Sequence, residues 1–240
     1  MAARHSGSSD TGARTLVLSY LTLRGALGTI GFLLPIVLVV GDSLTDTWGI
    51  RPSISAYYYT GMRDVMVAAM CALGVFLIAY TGYDSSDNLH SSLAGIGIIG
   101  VALLPTVHPC VRAGDCTEFK LGQVPIWWAD WVSTAHNLSA IVFMVMIGLL
   151  AMFQFTKSDK PEPTDQKLRR NTVYRYTATI IFLCAGLLVV RTFLGEDIKM
   201  WMEGFRAVFF IETVALVAFG IAWATKGEML WPDRSTASGR

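Results

Sequence analysis

Six long apolar blocks limit what this chain can fold into. They run over residues 16–40, "LVLSYLTLRGALGTIGFLLPIVLVV", 62–80, 92–107, 131–155, 173–194 and 205–225. All but the third have about the 17–25 residues needed to cross ~30 Å of hydrocarbon; the third is shorter and rich in glycine. Inside a bilayer every backbone amide must be satisfied by the chain itself, which leaves helices or a closed barrel. The blocks are continuously apolar rather than alternating, so they predict helices. Composition agrees: 53% of the 240 residues are hydrophobic and 15% charged, against about 25% charged in soluble domains. Mean hydropathy is +0.49. The expected fold is all-α, a polytopic six-helix transmembrane bundle.

The basic residues orient it. With the N-terminus inside, eleven of the 19 Lys and Arg face the cytoplasm and six face outward. The excess is concentrated in "KSDKPEPTDQKLRR", a short loop of the kind in which the positive-inside rule is strongest. This predicts a multi-pass protein of the cell (inner) membrane with both termini cytoplasmic. Residues 1–14 are polar and expected as a disordered cytoplasmic tail, 15–226 as the transmembrane domain, and 227–240 as a second tail. The first apolar block is too long for a cleaved signal and reads as a retained span. Trp127, Trp128 and Trp131 outside, and Trp223 and Trp231 inside, are expected as interfacial anchors. Net charge is +1, which gives no reason to expect a nucleic-acid partner.

Several motifs have plain structural readings. "GIGIIG" (95–100) has the letters of a dinucleotide loop but lies inside an apolar span, where small residues let helices approach closely. Gly25, Gly28 and Gly31 form a similar face on the first span, which serves either packing within one chain or a homo-oligomer. "GYDSSDNLHSS" (82–92) reads as a turn in which Asp87 or Asn88 caps the third helix. Cys110 and Cys116, in "CVRAGDC", predict a disulfide-closed outer turn.

The functional signal is a set of polar residues in the outer third. Asp64, His136 and Glu212 come from three spans, at depths of roughly 3, 8 and 11 Å at 1.5 Å per residue. Arg63, Arg191 and Arg206 lie at similar levels, and Asn137 follows His136 on the fourth span. Charges at such depth cost about 2.5–3.5 kcal/mol on insertion scales, so they face the bundle interior and pair. "SISAYYY" (53–59) precedes the second span, and Ser53, Ser55, Tyr57, Tyr58 and Tyr59 would form a hydroxyl rim. The set predicts a polar pocket open to the outer leaflet, holding a lipid headgroup or a small polar solute. The alternatives are a lipid-modifying hydrolase or transferase using His136 or Glu212, and a scaffold whose charges only lock helices. No cofactor is expected; zinc on His136, Asp64 and Glu212 is the minority alternative.

"RPSISAYYYTGMRD" before the second span, with "PSIS" at Pro52–Ser55, resembles the DRAM-type family, as does "TAHNLSAIVF" opening the fourth. The chain also resembles bacterial six-span membrane proteins. The DRAM-type family includes autophagy modulators and proteins that remodel GPI anchors, and the resemblance implies membrane lipids as partners. Ala56 follows Ser55 where that family carries an acidic residue. Ceramidases and adiponectin receptors hold zinc with three histidines, and this chain has no HxxxH pair.

Overall fold

The structure, a computed structural model, describes residues 6–45, 49–106, 130–158 and 161–232, with side chains from residue 20 onward except that of residue 130. Helices α1 (Ser6–Thr45), α2 (Arg63–Ala79), α3 (Ser85–Leu103) and α4 (Asp130–Leu149) follow in order. A π turn, Leu150–Gln154, ends α4. Then come α5 (Asp165–Thr192), a short α6 (Glu196–Gly204) and α7 (Ala207–Lys226). No strand occurs among the described residues. Successive long helices pack side by side, and α7 closes the circle between α5 and α1. The result is a ring of six helices.

Among the described residues, four helical stretches are long and apolar enough to cross a membrane: Tyr20–Thr45, Trp131–Gln154, Asp165–Thr192 and Ala207–Lys226. Their outer faces carry bare apolar side chains, among them Ile36, Val40, Leu138, Leu183, Leu187 and Val190. A water-soluble monomer rarely exposes so continuous an apolar surface. Hydrocarbon solvates it at no cost. This is a membrane protein.

Three helices begin well before their apolar blocks. α3 starts at Ser85 because the Asp84 side chain accepts the Asp87 N–H at 3.0 Å. α5 starts at Asp165 because Thr164 accepts the Lys167 N–H at 3.2 Å. Both are ordinary N-caps. Asp87 and Asn88 instead accept from the preceding turn, at Tyr83 N and Gly82 N. α1 starts at Ser6, so residues 6–14 are helical rather than an irregular tail. Once a helix has nucleated, extending it adds one bond per residue fixed, and the apolar block supplies the nucleus.

Glycines set the closest helix contacts. A Cβ on Gly28 would stand 2.5 Å from the Ala224 nitrogen, and one on Gly220 2.7 Å from the Gly28 oxygen. The glycine face of α1 is therefore the seam with α7 of the same chain. "GIGIIG" behaves likewise: a Cβ on Gly95 would stand 2.5 Å from the Gly74 oxygen on α2, and one on Gly97 2.9 Å from the Ser139 oxygen on α4. Trp223, expected at an interface, is instead fully buried among Tyr80, Phe155 and Phe219. Trp131 and Trp231 are exposed.

α6 has no apolar run for a hydropathy reading to find, yet it is helical and buries no residue. Ile198, Met200 and Trp201 stand exposed on it, with Phe205 just beyond. Such a helix suits the plane of a membrane interface.

The α2–α3 turn is clasped by Lys157, whose Nζ donates to Asp84 at 2.8 Å and Asp87 at 2.5 Å. The Lys157 ammonium, then the Asp87 N–H, holds the Asp84 carboxyl below the ordinary aspartate value. A depressed carboxylate stabilises the fold above its unfolded value, about 3.9, and loses that contribution as pH falls through the folded one. Asp84→Asn keeps a capping acceptor but not the charge. The unfolding midpoints of wild type and Asp84→Asn should differ at pH 7 and converge as pH falls toward ~3.

Candidate functional site

The segment from Gly49 to Met62 does not form an open rim. Pro52 to Thr60 folds into a tight structure whose 3-10 turn, Ser55–Tyr59, lies against the start of α7. Ile54, Ser55, Ala56, Tyr57 and Tyr58 are buried in this turn, while Ser53 is only partly so. Two long-range bonds hold it. The Phe209 N–H donates to the Pro52 carbonyl at 3.1 Å. The Ile54 N–H donates to Glu212 Oε2 at 2.6 Å.

Helix N-termini present unsatisfied N–H groups, and a carboxylate there is favourable on both hydrogen-bond and dipole grounds. Glu212 therefore does from a distant helix what a capping residue does locally. It is only partly buried, because its carboxylate borders a cavity of about 70 Å³ on the bundle axis. Met70, Ile98, Phe143, Ile181 and Phe219 form the apolar wall, and Ser55 and Glu212 are its polar residues. The cavity has room for a few water molecules or a short run of hydrocarbon.

The other sequence-predicted residues are more dispersed than shared depth implied. His136 is buried, but its Nδ1 meets the Leu104 carbonyl at 2.6 Å and so caps the end of α3. Asp64, Asn137 and Arg206 are exposed. No hydrogen bond or ion pair joins Asp64, His136 and Glu212. Equal depth does not fix rotation about a helix axis, and rotation sends Asp64 and Asn137 outward. Arg206 has φ 54°, the left-handed conformation that turns the chain from α6 into α7. Arg63 lies over the Tyr58 ring at 4.5 Å and donates to its hydroxyl. Arg191 pairs with Glu203 at 2.9 Å and remains close enough to act electrostatically on Glu212.

Burial lifts the Tyr57 and Tyr59 phenols above the ordinary tyrosine value, so both stay protonated near neutral pH. Tyr59 donates to the Thr106 carbonyl. Sequence reasoning missed Asp42, which is fully buried in the last turn of α1 and receives Arg51 Nε at 2.6 Å. This pair ties the start of the loop to α1. An acidic residue directly after an apolar block was the available signal.

No group of three or more His, Cys, Asp or Glu is close enough to hold a metal among the described residues. The Cys110–Cys116 pairing lies outside the described residues, while Cys71 and Cys184 are free thiols. No family model, curated protein or solved structure matches the chain.

Proposed function

We propose that this chain is a six-span membrane protein that binds the polar end of a lipid or small amphiphile at the outer end of its axial cavity. The observation that carries the reading is Glu212, among the described residues the one carboxylate at the head of an apolar cavity. Intramembrane acids in such positions mark functional sites by default. A carboxylate among apolar walls favours a ligand with a hydrogen-bond donor or a positive charge, an ammonium or a hydroxyl. The 3-10 turn sits above it as a cover, and the Ile54 N–H at its start already occupies one face of the acid.

The ring supports six crossings, with α2 and α3 completing it beside four helices that are long enough to span. The basic loop before α5 supports cytoplasmic termini in the cell membrane. The DRAM-type likeness of Pro52–Ser55 supports a lipid rather than a soluble ligand. A second reading has its own support: the Ile54 bond makes Glu212 a latch, as a scaffold would need.

The test uses nanodisc-embedded protein and single-chain amphiphiles of equal length ending in ammonium, hydroxyl or carboxylate. Ammonium and hydroxyl forms should bind at least about tenfold (~1.4 kcal/mol) tighter than the carboxylate. The preference for ammonium should collapse in Glu212→Gln. Indifference to the end group in wild type would refute the proposal.

A further inference from the structure

The opposite end of the bundle holds a second cavity, of about 220 Å³, with a different character. Lys226, at the end of α7, is 14 residues from Glu212, about 21 Å along the helix. Five cationic side chains line the cavity: Arg24 from α1, Lys157 from the segment after the π turn, Lys167 and Arg170 from α5, and Lys226 from α7. Among the described residues, the one carboxylate in its wall is Glu228, 3.6 Å from Arg170 Nη1. Asp84 and Asp87 lie just outside and engage Lys157.

Rings and backbone carbonyls also meet the other cations. Arg24 stands 4.0 Å from the Tyr20 ring and donates to the Tyr80 hydroxyl at 3.4 Å. Lys167 donates to the Phe155 carbonyl at 2.7 Å, where the π turn ends. Arg170 is buried and donates to the Trp231 carbonyl. Lys226 is the decisive residue. Only 9% of it is exposed, it makes no hydrogen bond or ion pair among the described residues, and its Nζ stands 5.3 Å from the Phe155 ring and 5.5 Å from Tyr83.

A lysine buried without an anion, with other cations around it, costs free energy. Ring faces at more than 5 Å return only part of that cost. The cost is removed if a multivalent anion fills the cavity. Lysines supply point charges and arginines forked donors, the combination that recognises phosphate. We infer that this cavity is a binding site for a phosphate-bearing anion, either a phospholipid headgroup or a free phosphate compound. Basic pockets between membrane helices are known to hold anionic headgroups. The site is separate from the Glu212 cavity and does not depend on it.

The experiment uses the full chain in zwitterionic nanodiscs, titrated with inorganic phosphate, and in a second set containing phosphatidylglycerol. Thermal unfolding and calorimetric binding are read for wild type, Lys226→Met and Arg24→Gln. Wild type should show a saturable rise in unfolding midpoint in at least one set. A response to phosphate assigns a soluble ligand, and a response to phosphatidylglycerol alone assigns a lipid. Lys226→Met should unfold at or above the wild-type midpoint without anion, because an unpaired buried charge is gone. It should bind the anion at least about tenfold more weakly (~1.4 kcal/mol). Arg24→Gln gives the same test by removing a different cation. No response in wild type, or an undiminished response in both variants, would overturn the inference.

Discussion

Gly28→Leu should abolish recovery of folded, monodisperse protein, whereas Gly186→Ala should leave the unfolding midpoint unchanged or raise it. Both glycines lie in long helices, and a count of helix formers would treat them alike. Their surroundings differ. A side chain at Gly28 meets the backbone of Ala224 and Gly220 at 2.5–2.9 Å, and backbone cannot rotate aside. Overpacking a core against movable side chains costs about 1–3 kcal/mol, and here α1 must separate from α7 along their whole seam. A methyl group at Gly186 would meet nothing within 4 Å. Alanine there gains about 0.5–1 kcal/mol of helix preference over glycine. Size-exclusion recovery and a thermal melt of the two variants check both halves.

Glu212→Ala should destabilise the fold by about 2–3 kcal/mol and free the 49–62 segment for cleavage. The substitution strips the Ile54 N–H of its acceptor at the buried start of the 3-10 turn. An orphaned buried donor costs about 1–3 kcal/mol, and bonds to charged groups stand at the upper end. The bonds that remain include the Phe209–Pro52 pair, Tyr59 to Thr106, Arg63 to Tyr58, and Arg51 to Asp42. Limited proteolysis should cut between residues 49 and 62 at least about tenfold faster than in wild type, in line with an opening equilibrium shifted by ~1.4 kcal/mol or more. Glu212→Gln retains an acceptor oxygen and should restore most of the protection.

What the sequence showed and what it hid divide along sequence distance. The apolar blocks located every long helix, because hydrocarbon solvent demands continuous apolar length. Their true starts at Ser85 and Asp165 lay in polar letters, visible only as the caps Asp84 and Thr164. Glu212 stood out because an acid deep in "AVFFIETVALVAFG" has few bland explanations. Its partner did not, since the bond to Ile54 joins residues 158 apart. The tyrosines read as a rim because hydroxyls beside a span suggest water. In fact Tyr57 and Tyr58 are tucked under, and the turn's own backbone carries the polarity. The basic cavity was hidden for a similar reason. Arg24 and Lys226 are 202 residues apart, and only the closure of α7 against α1 brings them to one wall.

Native mass spectrometry of gently extracted wild type beside Glu212→Gln, with lipid analysis of whatever is carried along, decides the assignment of the axial cavity. On the binding role that this test checks, wild type is expected to retain an amphiphile bearing an ammonium or hydroxyl. Glu212→Gln, still folded and with its 49–62 segment still protected, is expected to have lost it. Wild type that carries no ligand, or a variant that carries it equally well, would contradict the binding role and leave Glu212 as the latch of a scaffold.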